Sequence, residues 1–302
     1  MDVPPRYVAE LLPTVVHLHA RVPPQHPSTR ILGDERMGSG VIIASTGLVL
    51  TVNYVVMGAA TVEVTPIRGR RMKAEVVAQD FEVGLALLRV PRARLLPSVS
   101  PGPDRPLDRG HPVIAVASTG PGEVRVAGGV LTYLGEFEAY WEYLLERGLV
   151  SSAANPGFGG GGLFDLGGRL LGIVSLNLNE IARCSLAIPI EHYAQHADEL
   201  LRHGRVVSRP RRAWLGVFAH ALDEGVVVAG IVPDGPGDRG GLREGDLIVS
   251  LNAEAVSSRR ELYVSLWRHE PGQRLTLEVM RDNRLRRIVV TGGDRADFFR
   301  KL

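Results

Sequence analysis

Residues 38–56 read GSGVIIASTGLVLTVNYVV. Two runs of β-branched and aliphatic residues flank Ser45-Thr46-Gly47, so the stretch predicts two short strands joined by a tight turn. The same texture extends outward. TVEVTPIRGRRMKAEVVAQD (61–80) and VGLALLRV (83–90) follow it, and Val15 to Val22 precedes it as a first strand, across a loop at 23–37. A connector rich in Pro and Gly, PSVSPGPDRPLDRG (97–110), leads to a second strand-rich block: 111–119, 124–134, 168–178 and 184–190. Two all-β blocks of comparable size predict a double barrel. Between the strands of the second block, EFEAYWEYLLERG (136–148) is expected as a helix or an ordered insertion.

EHYAQHADELLRHG (191–204) predicts a helix stopped by Gly204. An Arg-rich stretch, RVVSRPRR (205–212), follows and is expected as a solvated hinge, since no aromatic residues are interleaved for nucleic-acid stacking. From Ala213 the composition shifts to short strands plus two helices. The second helix carries a capping box, Ser258-x-x-Glu261, and apolar i,i+4 pairs at Leu262/Leu266 and Tyr263/Trp267. RLTLEVMRDNRLRRIVVT closes as a hairpin about Asp282-Asn283.

The chain has 302 residues, which suggests two domains, and 45% of it is hydrophobic, which excludes wholesale disorder. A net charge of +2 supplies no whole-chain field for nucleic acid or an anionic membrane. Of 35 basic residues only Lys73 and Lys301 are lysines. A single cysteine, Cys184, excludes an internal disulfide framework and a Cys-cluster zinc site. No stretch has the ~18 uninterrupted apolar residues of a membrane span. The N-terminal MDVPPRYVAELL lacks a basic n-region and an apolar h-region. The expected location is therefore cytoplasmic, or periplasmic if the start omits a leader.

Two blocks resemble a known family. The first 190 residues are similar to the trypsin-like protease domain of the HtrA (Deg) family of bacterial serine proteases, and residues 213–291 to the PDZ domain that follows it there. GSGVIIASTGLVLTVNYVV resembles the segment that holds the catalytic His, DFEVGLALLRV (80–90) the segment of the catalytic Asp, and SSAANPGFGGGGLFDLGGRLLGIVSLN (151–177) the segment of the nucleophilic Ser. WLGV (214–217), VPDGPGDRGGLREGDLIVSLN (232–252) and PGQRLTLEVMRD (271–282) resemble PDZ landmarks. The resemblance implies a mostly β fold, a trypsin-like double β-barrel followed by a small α+β PDZ domain. The implied division is a protease domain over 1–201, an Arg-rich linker over 202–212, the PDZ domain over 213–291 and a tail over 292–302.

The departures fall on the triad. Tyr54 stands at the family's His, Gly84 at its Asp and Gly159 at its Ser. Serine-protease chemistry needs an Oγ nucleophile, an imidazole base and a carboxylate that orients it. Gly159 offers no nucleophile, a phenol with pKa near 10 is a poor base at neutral pH, and Gly84 orients nothing. Substitutes would have to come from Ser151, Ser152, Asp80 or Glu82, while His17 and His19 share one face of the first strand, which could be a solvated one. By resemblance the oxyanion turn maps to Gly157 and Gly159, whose backbone N–H groups survive the loss of side chains. The run Gly159–Gly162 also has a plainer meaning, a relaxed flexible loop. His192 and His196 have a metal-ligand spacing but lack the Glu a zinc protease places after its first His.

In a PDZ domain a peptide adds as a strand to a sheet edge beside a helix, its terminal carboxylate held by loop N–H groups. The resemblance places that loop at Trp214, Leu215, Gly216 and Val217. Leu262 and Leu266 of the helix are either pocket or core residues. The expected function is that of a catalytically inactive pseudoprotease that binds peptides or partner proteins as a scaffold, chaperone-like holder or regulator. The alternative is an active serine endopeptidase with a non-standard catalytic set. No cofactor or metal is called for. Expected partners are peptides or protein C-termini, with a homo-oligomer (a trimer by resemblance) or a mixed oligomer with an active relative.

Overall fold

The computed structural model describes residues 6–102, 106–179, 183–223 and 225–300. In chain order the strands are β1 (Val15–Arg21), β2 (Glu35–Ala44), β3 (Leu48–Val52), β4 (Thr61–Pro66), β5 (Met72–Asp80), β6 (Leu85–Arg89), β7 (Pro112–Gly120), β8 (Glu123–Ala139), β9 (Tyr143–Ser151), β10 (Gly162–Asp165), β11 (Leu170–Asn177), β12 (Ser185–Pro189), β13 (Val217–Leu222), β14 (Gly225–Ile231), β15 (Leu247–Leu251), β16 (Glu254–Ala255), β17 (Arg274–Arg281) and β18 (Arg284–Thr291). The helices are α1 (Arg6–Leu11), α2 (Thr29–Leu32), α3 (Asn53–Val56), α4 (Glu191–His203), α5 (Pro236–Gly240), α6 (Arg259–Leu266) and α7 (Arg295–Phe299).

The chain forms two compact units, and neither is continuous in sequence. The first comprises residues up to 24, 32–136 and 145–207; the second comprises 25–31, 137–144 and 208 onward. Residues 25–31 and 137–144, expected within the first domain, therefore pack with the second.

The first unit holds two closed six-stranded barrels, β1-β2-β3-β6-β5-β4 and β10-β11-β12-β9-β8-β7, so the mostly β double-barrel expectation is correct. β-branched and aliphatic runs fill them. Val16, Leu18, Val41, Leu50, Val64, Leu85 and Leu88 are buried in the first, while Val113, Leu131, Leu149, Leu163, Leu171 and Val174 cluster in the second. α4 ends at Gly204, whose φ of 69° is the left-handed cap that favours glycine.

Of the helix or ordered insertion expected over 136–148, the helix does not form. Residues up to Ala139 continue β8, residues from Tyr143 begin β9, and the reversal between them places Glu142 at φ 56°. The segment's Phe, Tyr and Trp residues suit a pleated surface as well as they suit a helix, and ladder pairing decided between the two.

The second unit is a sheet in the order β13-β14-β15-β17-β18, with β16 paired to β15. Leu275, Leu277 and Val279 alternate inward along β17 and meet Leu262, Tyr263 and Leu266 of α6 in one core. Ser258 caps α6 by accepting from the Glu261 N–H, as the capping box predicts. Asp282 and Asn283, both with positive φ, turn the β17–β18 hairpin. The expected C-terminal tail contains α7, whose Phe298 and Phe299 rings pack against Trp214. The Arg-rich stretch is anchored rather than freely solvated: Arg211 pairs with Asp294 and Asp297, and Arg212 lies 5.0 Å over the Trp267 ring.

Candidate functional site

Two places in the molecule collect the residues that carry chemistry. The first is the turn Gly157–Gly162 within the double barrel. Gly159 O accepts from Ser39 N–H at 2.7 Å, Phe158 N–H donates to Ser118 O at 2.8 Å, and Gly160 N–H donates to Val174 O at 2.8 Å. Ser39 Oγ donates to Phe158 O and accepts from Ser118 N–H. The glycine run is thus a pinned, close-packed turn and not a relaxed loop. A Cβ on Gly160, whose φ is 96°, would overlap Ser39 O, and one on Gly159 would overlap the Tyr54 hydroxyl.

Tyr54 lies on α3, directly after β3. Its half-buried phenol donates to Ser175 O at 2.8 Å, and desolvation pushes its pKa up to about 12. Arg36 holds this helix from behind by donating to Tyr54 O and Met57 O. Gly84 accepts from Asn53 N–H at 2.7 Å, which sets it beside Tyr54 along the backbone. The structure therefore brings positions 54, 84 and 159 together, with a tyrosine and two glycines in them. Gly157 N–H donates to Asn155 Oδ1 at 3.3 Å, so one of the two expected oxyanion donors has an internal partner.

Asp80, Ser151 and Ser152, named as possible substitutes, each make structural hydrogen bonds. Asp80 Oδ1 accepts from the Glu82 and Val83 N–H groups and so organises the β5–β6 turn. Ser151 Oγ bonds Ala153 O and Ser185 Oγ, and Ser152 Oγ accepts from Val130 N–H. His17 is buried, contrary to the solvated face expected for it. Its Nδ1 lies 3.2 Å from Ser118 Oγ and its ring packs on Phe158. Ser118 Oγ directs its single proton to Gly120 O, which leaves it an acceptor towards Nδ1–H. Burial, then the charges of His19 and Arg71, hold the His17 pKa below 6.5. His19 instead contacts Glu35 and Glu63. His196 pairs with Glu199, and no cluster of three metal-ligating side chains occurs among the described residues.

The second place is the edge strand β13 with α6. The N–H groups of Leu215, Gly216 and Val217 converge on one carboxylate, that of Glu142: 3.1 Å to Oε2 from Leu215, and 2.6 and 2.9 Å to Oε1 from Gly216 and Val217. Gly216 has φ 77°, a conformation that favours glycine and turns successive N–H groups to one side. Trp214 is set apart from this nest. Its N–H and C=O pair with Gly293, and its ring faces α7. Leu262 and Leu266, left open as pocket or core, are core residues. Tyr263, used in the sequence only as a helix-face residue, makes polar contacts here: its hydroxyl donates to Ala139 O at 2.7 Å and accepts from Glu142 N–H at 3.0 Å.

A trypsin-like peptidase domain model matches residues 38–173, and a PDZ domain model matches residues 213–291. Among curated relatives, a probable periplasmic serine endoprotease DegP-like of Halomonas elongata is 31% identical over 294 residues, covering 91% of this chain and 60% of that protein. The protein of the same name in Ectopseudomonas mendocina is 31% identical over 288 residues, covering 89% and 59%. The serine endoprotease of Yersinia pestis matches in structure with a TM-score of 0.57 at 26% identity, covering 97% of this chain and 99% of that one. An HtrA-type protease, AlgW, solved with a decapeptide matches with a TM-score of 0.56 at 28% identity, covering 96% and 98%. The chain resembles the HtrA-type proteases across both domains. It spans about three-fifths of the length of those curated relatives. Within the HtrA frame the double barrel is the trypsin-like domain and the β13–β18 sheet with α6 is the PDZ domain. Among the described residues no helix is long and apolar enough to cross a membrane.

Proposed function

We propose that this HtrA-like chain is a catalytically inactive pseudoprotease that acts by binding protein segments at its PDZ domain. The observation that carries this is the relation of Tyr54 to Gly159. The phenol fills the space a nucleophile's side chain would need, is committed to Ser175 O, and has its pKa raised by burial to about 12, so it is no base at neutral pH. Among the described residues, Ser118 and Ser28, whose hydroxyls touch histidines, are both fully buried, out of reach of a substrate carbonyl. The nest at Leu215–Val217 supports the binding half of the proposal, because it demonstrably holds a carboxylate.

The relatives named as periplasmic favour an extracytoplasmic location over the cytoplasmic one expected from the N-terminus. Peptides or protein C-termini are the proposed ligands, with a homo-oligomer or a mixed oligomer with an active relative as the working assembly. The test is hydrolysis of fluorogenic casein together with labelling by a serine-directed fluorophosphonate. Neither is expected above a heat-killed control. Stoichiometric labelling of any serine would establish the alternative, an active endopeptidase with a non-standard catalytic set.

A further inference from the structure

The second unit contains a segment that the PDZ sequence does not supply, residues 137–144 from the β8–β9 connection. Its placement follows that of a bound peptide. Tyr140 O accepts from Ala219 N–H of the edge strand β13 at 2.6 Å, the first step of strand addition. On the opposite side Tyr263 of α6 bonds both Ala139 O and Glu142 N–H. Arg259, also on α6, pairs with Glu138 at 3.0 Å, and Arg295 donates to Trp141 O at 2.9 Å and to Glu142 O. The Tyr140 ring packs on Phe218 and His220 of β13. At the end of the groove the fully buried Glu142 carboxylate takes all three N–H groups of the Leu215–Val217 nest.

We propose that residues 137–144 are an internal ligand that closes the PDZ groove, with the Glu142 carboxylate standing in for the C-terminal carboxylate of a peptide, and that an incoming peptide binds only by displacing them. This rests on the groove being the peptide site.

Three features make the segment a removable occupant as well as a good fit. Glu142 is a non-glycine residue held at φ 56°, a left-handed conformation that is unfavourable for a residue with a Cβ and persists only where surroundings over-determine it. Burial pushes its carboxyl pKa up, against the opposing pull of Arg295 and the three N–H groups, so the closed groove carries a desolvation cost. Finally, a peptide with a free terminus offers the same nest a carboxylate without requiring a left-handed residue. The groove also shows what chemistry it accepts: an aromatic side chain against Phe218 and His220, and one carboxylate at the nest.

The experiment uses the full chain and two probes. The first is a fluorescein-labelled peptide of residues 136–141, Glu-Phe-Glu-Ala-Tyr-Trp, whose free C-terminal carboxylate follows Trp141 where the chain continues to Glu142. The second is hydrogen exchange at the Leu215, Gly216 and Val217 amides without peptide. Closure predicts that Glu142→Ala binds the peptide at least about tenfold more tightly than the native chain, since apparent affinity scales with the open fraction. It also predicts that the three amides, protected in the native chain, exchange at least about tenfold faster in the variant. Arg295→Gln, which loosens the segment without touching the nest, should shift both readouts in the same direction and serves if Glu142→Ala does not fold. Equal, tight binding by the native chain and the variants would overturn closure and leave the peptide site intact. Faster amide exchange with no peptide binding in any form would uphold closure and overturn the peptide site. Unchanged exchange in variants that fold would overturn closure whatever the peptide does.

Discussion

The Tyr54 hydroxyl occupies the space into which a Gly159 side chain would project. A Cβ built on Gly159 overlaps Tyr54 Oη and stands 3.1 Å from both Tyr54 Cζ and Ser175 O. The two residues are therefore sterically coupled, and the consequence can be measured. Gly159→Ser alone should destabilise the chain by about 1–3 kcal/mol, the range for overpacking a filled site. In combination with Tyr54→Ala most of that loss should vanish, giving a coupling in a double-mutant cycle read by urea unfolding. Additive effects would show that the phenol moves aside freely.

Rebuilding the triad with Tyr54→His, Gly84→Asp and Gly159→Ser should give casein hydrolysis far below that of an active relative assayed alongside. Gly84 has φ 83°, so an aspartate there carries backbone strain in addition to its new polar group. Gly157 N–H donates to Asn155 Oδ1, so the oxyanion turn is engaged internally. A misplacement of 1 Å in such a site can cost about 10²-fold in rate. Full activity in the triple variant would show that the turn kept its catalytic geometry.

His17 should make stability fall on acidification. Its folded pKa lies below its ordinary 6.5, mainly because it is buried, so the unfolded chain takes up the proton first. The stabilisation is complete above pH 6.5 and is lost as pH falls through the lowered folded value. The urea midpoint of the native chain should drop between about pH 7.5 and 5.5, and His17→Gln should drop less over the same interval. Identical slopes would remove His17 from the account.

In the PDZ domain the fully buried Asp246 is held by Arg281 through two bonds of 2.6 Å. Its Oδ2 also accepts from Arg243 N–H. Arg281→Met should destabilise the domain by about 3–5 kcal/mol, because the carboxylate loses its buried partner. Adding Asp246→Asn should recover much of the loss. A single variant with native stability would show that water replaces the guanidinium.

Local sequence was sufficient wherever short-range physics decides structure. Alternating apolar residues fixed β17 and its inward face, Gly204 stopped α4, Ser258 and Glu261 capped α6, and Asp282-Asn283 turned the last hairpin. The absence of a nucleophile, base and orienting acid at 159, 54 and 84 is likewise written in the chain. What local patterns left open depends on partners distant in sequence. The tyrosine's role at Gly159 needs α3 and the turn before β10 to meet, and residue type alone does not report the overlap. His17 could lie on a surface face of β1, but β7 and the turn before β10, both of the second barrel, bury it against Ser118 and Phe158. Residues 136–148 have a composition that suits either helix or strand, and β pairing with contacts to β13 and α6 chose strand. Most of all, nothing near Glu142 in the sequence announces three N–H groups some 73 to 75 residues away. Only folding creates that site, because hydrogen-bond donors on a loop become a carboxylate nest when the backbone turns them to one point and burial removes competing water.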